Sequence, residues 1–278
     1  MRAADGWADA LSQWAIPEPI LAQAPESPWT LPPSAFADAA RLALKGSPTP
    51  THRHALEGLP ERGALLDVGA GAGAASLPLG GRADHIVAVD QSPAMLREML
   101  LLAEGRVRVI PVSGTWPEAA DLVDAADVVI CANVAYNVAA LPEFVVALTA
   151  KARRRVVMEL TLFHPQAPLN WLWKHFWDLP RPQSPTADDA AMVVRQTLGV
   201  EVDAEPWRGR EPLTTRFDPE TVAWIRRRLC LSESFDEEVA RLLRSRPESG
   251  ATQMVTMWWP GAAGRVSGGP GLYAPITR

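Results

Sequence analysis

The sequence predicts an α/β protein built on a doubly wound, mostly parallel sheet, and three observations carry that expectation. Short apolar runs rich in Val, Ile and Leu alternate with amphipathic helical segments between residues 64 and 163. The first run passes straight into glycines, and the second ends on an aspartate, Asp90. The 278 residues, 47% hydrophobic, are enough for one or two domains with a proper core. Parallel strands are covered by helices on both faces, so they read as continuous apolar runs joined by right-handed helical crossovers.

The elements follow in order. Residues 1–60 read as a helical, proline-broken N-terminal cap. Leu11, Trp14 and Ala15 keep helical spacing there, residues 34–44 form a second amphipathic segment, and Gly46–Thr51 breaks the pattern. The core is expected over 61–164, with strands at 64–69, 85–90, 106–112, 126–132 and 154–163. Helices are expected at 92–103, with Ser92 as N-cap and Pro93 in the first turn, and at 141–152. Beyond Phe163 the alternation fails. Residues 165–200 read as a helical insertion, a lid with helices at 168–179 and 186–198, the second opened by Thr186 and Asp189. Residues 201–262 supply the remainder of the core: strands at 200–207 and 252–260 flank two helices, the second opened by Ser234 and Glu237. The glycine-rich stretch 263–278 is expected to be a flexible tail.

Composition narrows the function. Two cysteines, Cys131 and Cys230, lie far apart, so neither a disulfide framework nor a thiolate metal site is expected, and a reducing cytoplasm is. A net charge of -5 argues against a broad nucleic-acid footprint. No apolar run approaches the roughly 20 residues of a membrane span, and the first residues do not read as a secretion signal.

The stretch Gly63–Gly80, GALLDVGAGAGAASLPLG, carries the chemistry. A parallel strand ending in Gly69, Gly71 and Gly73 puts a tight turn at the sheet's carboxyl edge, where α/β ligands bind and can touch the main chain. A dinucleotide wants its third glycine one place later. The carboxylate of Asp67 is awkward beside a pyrophosphate and suited to a cationic ligand. LLDVGAGAG resembles motif I of the class I S-adenosylmethionine (SAM)-dependent methyltransferases, and YNV at Tyr136–Val138 resembles the small-molecule enzymes of actinobacterial type. The resemblance covers roughly residues 50 to 165. It implies a seven-stranded Rossmann-like sheet with an antiparallel last strand, SAM as cofactor, and methyl transfer to a small molecule, and the tryptophans of Pro168–Pro182 suit an apolar or aromatic acceptor.

Carried over residue by residue, the resemblance gives Asp67 and the glycines the methionine end of SAM. Asp90, 17 residues past Gly73, takes the ribose hydroxyls, and Gly114, Thr115 and Trp116 take the adenine surround. Thr115 with Glu118 also fits a capping box, and Trp116 could equally cover a helix. Cys131 and Asn133 follow at the end of strand four, without the Pro-Pro pair of DNA amino-methylating enzymes, so DNA is not expected as substrate while RNA stays open. For the acceptor, His164 is the first choice as a base and Tyr136 lies near the expected methyl position; His52, Asn137, Trp171 and His175 are candidate substrate contacts. Ordinary packing is the competing account for Tyr136 and for the tryptophans of Pro168–Pro182. A SAM-binding module without turnover is the alternative function, and a monomer or homodimer is expected.

Overall fold

The computed structural model describes residues 2–29, 33–209, 217–245 and 251–263. Along the chain run α1 (Ala3–Ser12), α2 (Glu18–Leu21), α3 (Pro33–Lys45), α4 (Pro50–Gly58), β1 (Gly63–Val68), β2 (Ala83–Asp90), α5 (Pro93–Ala103), β3 (Arg108–Ser113), β4 (Ala126–Ala132), α6 (Leu141–Lys151), β5 (Ala152–Thr161), α7 (Asn170–Trp177), α8 (Ala187–Leu198), β6 (Asp203–Arg208), α9 (Pro219–Arg228), α10 (Asp236–Ser245) and β7 (Gln253–Pro260).

The strands form one seven-stranded sheet in the order β3-β2-β1-β4-β5-β7-β6. β7 pairs antiparallel with both β5 and β6, and the other pairings are parallel. The chain winds outward from β1 in one direction through β2 and β3, and in the other through β4 and β5. The carboxyl ends of β1 and β4 therefore flank the switch point, where the connections diverge and leave a crevice.

Alternation along each strand splits the core in two. Leu66, Val68, Val129, Cys131 and Met158 face one layer, closed by α6, α8 and Trp7 of α1. Leu65, Ile86, Val128, Ile130 and Val157 face the other, closed by α4 and α5. Leu65 and Leu66 are fully buried back to back, so truncating either to alanine costs about 2–5 kcal/mol of transfer and cavity energy. A third cluster joins α7, α9 and the Val239 and Leu243 positions of α10.

Local signals act largely as the sequence implies. Ser92 Oγ accepts from Met95 N at the start of α5, and Thr186 and Asp189 cap α8 reciprocally. Ser234 departs from expectation. It sits inside a 3-10 turn, Glu233–Phe235, with its hydroxyl on Ser232 Oγ at 2.7 Å, so α10 begins at Asp236 without the Ser234–Glu237 box. Trp14 lies beyond the end of α1 and donates its indole N–H to Ser184 O at 2.7 Å. Residues 1–60 spread over both faces of the sheet: α1 packs on α8 and α6, while α3 packs on α5 and α4 on β5. The expected tail lies outside the described residues beyond Ala263. No helix of the described residues is long and apolar enough to cross a membrane.

Candidate active site

The turn after β1 is built from backbone. Gly69 and Ala70 both donate to Val89 O, at 2.8 and 3.0 Å, which ties the turn to the end of β2. Gly69 has φ +71, and a Cβ there would stand 2.2 Å from Val134 Cγ2. Only glycine lets the first turn and the loop after β4 approach this closely. Gly71 is glycine for a different reason. At φ +52, a Cβ on it would find nothing nearer than Phe36 Cδ1 at 3.9 Å, so its outer side is open to a ligand. Gly73 is tucked against Leu77 and Met99 instead.

Two carboxylates flank this turn. Asp90, at the tip of β2, accepts from Gly71 N at 2.8 Å and from Ser92 N at 2.8 Å. A carboxylate offers about four lone-pair sites, so two acceptor positions remain for a ligand's hydroxyls. Asp67 is buried within β1 and accepts from Ser76 Oγ at 2.5 Å. Burial pushes its carboxyl up to about 7, against the pull of the Ser76 hydroxyl and with a smaller push from Asp90. A carboxylate in that state favours a positively charged neighbour.

The next two strand ends close the sides. Gly114 N donates to Asp90 O at 3.1 Å, holding the end of β3 against that of β2. Thr115 Oγ1 donates to Glu118 at 2.9 Å, and Trp116 donates its indole N–H to Phe144 O at 3.3 Å while packing against the core. Both side chains thus serve the local framework. Cys131 is buried, near enough to Asp67 to feel its charge, and its thiol is pushed far above the ordinary range by burial. Asn133 adopts φ +60 and is held twice by Glu159: its N–H meets Glu159 O at 2.8 Å and its Nδ2 meets Oε1 at 3.0 Å. The other oxygen of Glu159 accepts from Thr51 Oγ1 at 2.6 Å. Thr51 belongs to α4, so the helix before β1 fixes the loop after β4 through Glu159.

The acceptor candidates separate. Tyr136 is buried, stacks on Trp7 with ring centroids 5.6 Å apart, and donates its hydroxyl to Thr161 O at 2.9 Å and Leu162 O at 3.2 Å. Its phenol is held protonated by burial and by Asp189 and Asp188, which suits a pillar rather than a proton carrier. His164 follows β5, stacks on Trp14 at 3.9 Å and meets the edge of Tyr136 at 5.3 Å. Its Nδ1 accepts from Gln166 N at 3.2 Å, which leaves the proton on Nε2. Burial, then the charges of Arg181 and Arg228, push the imidazole down to about 3. So weak a base with its free nitrogen already protonated is poorly suited to deprotonating an acceptor.

His52 serves the start of α4. It is buried as the third residue of α4, where Nδ1 accepts from Thr49 N at 3.1 Å in a capping box. Burial lowers its pKa, against a smaller upward pull from backbone hydrogen bonding at Ala74 and Ala75. His175 pairs with Glu238 of α10 at 3.1 Å on an exposed face away from the strand ends. Trp171 flanks the cluster of α7 and α9, and Asn137 is exposed in the 3-10 turn Ala135–Asn137 after β4.

Residues 66–154 match the family described as a methyltransferase domain. Among solved structures, the YcgJ protein from Bacillus subtilis superposes with TM-score 0.50 at 16% identity, over 81% of this chain and 98% of that one. A cyclopropane-fatty-acyl-phospholipid synthase-like protein from Lactobacillus casei superposes with TM-score 0.51 at 15% identity, over 87% and 97%. These likenesses carry the fold. No curated protein matches the sequence.

Proposed function

Residues 66–154 form a class I SAM-dependent methyltransferase domain, and from that premise we propose that the chain methylates a small, largely apolar or aromatic metabolite. The turn after β1 suits SAM on its own geometry. Gly71 presents an open main chain, Asp90 keeps two acceptor positions, and Asp67 is a buried carboxylate with no cationic partner among the described residues. In this reading Asp67 and the glycines hold the methionine end, Asp90 the ribose hydroxyls, and the Gly114–Trp116 backbone the adenine surround. Bound SAM supplies an electrophilic methyl on a sulfonium with a neutral leaving group.

The chain's own residues then have a limited task, which is to align and to dry the reacting centre. Asn133, clamped by Glu159, fixes the loop after β4 beside the turn at Gly69. Tyr136 and Trp7 form a rigid floor. His164 stays neutral and orients rather than accepts a proton, so the reading favours an acceptor whose attacking atom carries a lone pair without prior deprotonation. The aromatic surround of His164 is the observation that carries the small-molecule reading over RNA: Trp14 stacks on its ring and Tyr136 meets it edge-on.

A labelled-methyl transfer screen with the full chain tests this. Aromatic small molecules are expected to accept label while transfer to RNA stays at background. Label entering RNA and no small molecule would overturn the proposal.

A further inference from the structure

Two arginines, Arg181 and Arg228, lie over indole faces with no acid paired to them among the described residues. Arg181 lies between α7 and α8, and Arg228 is the last residue of α9. Arg181 lies over Trp14, which stacks on His164, and both arginines border the cluster of α7 and α9, Arg181 over Trp173 and Arg228 over Trp224. Arg181 stands 5.4 Å from the Trp14 ring and 5.1 Å from Trp173. Arg228 stands 5.6 Å from both Trp29 and Trp224. Among the described residues neither makes an ion pair. Arg226, two positions before Arg228, holds two: Glu26 at 2.7 Å and Asp236 at 3.2 Å. The chain has 32 acidic residues against 27 basic ones, so the contrast is not a shortage of acid.

Hydrogen bonding repeats the asymmetry. Arg181 places its two terminal nitrogens on the carbonyls of Trp14 and Ala15. The Arg228 side chain makes no hydrogen bond among the described residues, and the Nε of both arginines is buried without a partner. Burial lowers the pKa of each guanidinium, with no acid to oppose it. Indole faces recover only part of the cost of taking a guanidinium out of water. The aromatic contacts offset part of that cost and leave the charges seeking an anion.

We propose that Arg181 and Arg228 form the anion-binding end of the acceptor site and that the acceptor is an aromatic carboxylate. The planar fork of a guanidinium matches a carboxylate, and the surrounding indoles match a flat ring. The location fits. His164 follows β5 and touches Tyr136 from the loop after β4, and Val134 of that loop abuts the turn at Gly69. The inference rests on the small-metabolite methyltransferase reading and names its substrate class.

The test is calorimetry on the full chain with 2-naphthoate and its neutral isostere 2-naphthamide, with and without S-adenosylhomocysteine. Naphthoate is expected to bind at least about tenfold tighter than the amide. Arg228→Gln should bring naphthoate to the amide's level, leave amide and S-adenosylhomocysteine affinities unchanged, and melt no lower than the parent. Arg228→Lys, which keeps the charge without the fork, should retain part of the preference. Equal binding of the two probes, no binding of either, or a preference that survives Arg228→Gln would overturn the proposal. So would displacement of naphthoate by inorganic phosphate at equal concentration, which would assign a different anion. Failure of S-adenosylhomocysteine to bind counts instead against the methyltransferase reading, and the arm without it still decides the carboxylate.

Discussion

Replacing Gly69 by alanine isolates what holds the cofactor turn in place. The new Cβ would lie 2.2 Å from Val134 Cγ2, whereas carbon atoms rest at about 3.5 Å or more. Val134 or its loop must therefore retreat by more than about 1 Å, an overpacking cost of about 1–3 kcal/mol. The left-handed φ of +71 adds about 1–2 kcal/mol for a residue with a Cβ. Gly69→Ala should thus lose about 2–5 kcal/mol, a large share of the roughly 5–15 kcal/mol typical of a domain. Adding Val134→Ala removes the clashing methyl and should return about 1–3 kcal/mol, leaving only the backbone cost. Urea denaturation of the parent, both single variants and the double variant measures the coupling through shifts in midpoint at constant slope. Gly71→Ala is the control: with no atom nearer than 3.9 Å it should lose only the φ cost in stability, yet weaken S-adenosylhomocysteine more than its stability loss suggests. A loss below about 1 kcal/mol for Gly69→Ala, or no recovery in the double variant, would refute the reasoning.

Three further expectations follow from buried groups. Asp67, pushed up to about 7, keeps a proton that the unfolded chain releases near pH 4, so its contribution to stability falls as pH rises from about 4 to 7. A cationic ligand recruits the ionised form, so SAM affinity should rise from pH 6 to 8 with proton release seen by calorimetry in two buffers. An affinity flat across that range, or proton uptake, would contradict it. His164, pushed down to about 3, contributes stability in full above about pH 6.5 that is lost as pH falls toward 3. His164→Gln should flatten that acid limb and keep turnover within about tenfold, where loss of a true general base costs about a hundredfold or more. Tyr136→Phe removes the hydroxyl from Thr161 O and Leu162 O and should cost about 1–3 kcal/mol in thermal unfolding; abolished turnover with unchanged stability would restore Tyr136 to the chemistry.

Much of the fold was legible because its signals are local. The strand over 126–132 falls where apolar periodicity puts it, and Ser92 and Thr186 start their helices by accepting a backbone N–H three residues on with their side chains. The glycine turn after β1 was legible for the same reason: its glycines and Asp90 are set by backbone conformation at strand ends. The acceptor side was not. Tyr136, His164, His52 and His175 are alike in sequence as polar aromatics near strand ends or in an insertion, and only tertiary contacts distinguish a pillar, a stacked neutral ring, a helix cap and a surface pair. Arg181 and Arg228 gave no sign, because what marks them is the lack of a paired acid among the described residues, at two positions remote in sequence. Ser234 misled because a Ser followed by Glu three residues later fits a cap even where a 3-10 turn occupies the place. Glu159 owes its role to Thr51 and Asn133, both remote in sequence.

The central claim is that the turn between β1 and the end of β2 is shaped for a cationic nucleoside. Titrating SAM into the full chain by calorimetry, beside NAD+ and the variant Asp90→Ala, tests it most directly. The account predicts one SAM per chain, no heat with NAD+, and at least about a tenfold loss in Asp90→Ala, the effect of removing a charged hydrogen-bond acceptor. Heat with NAD+ and none with SAM would contradict it.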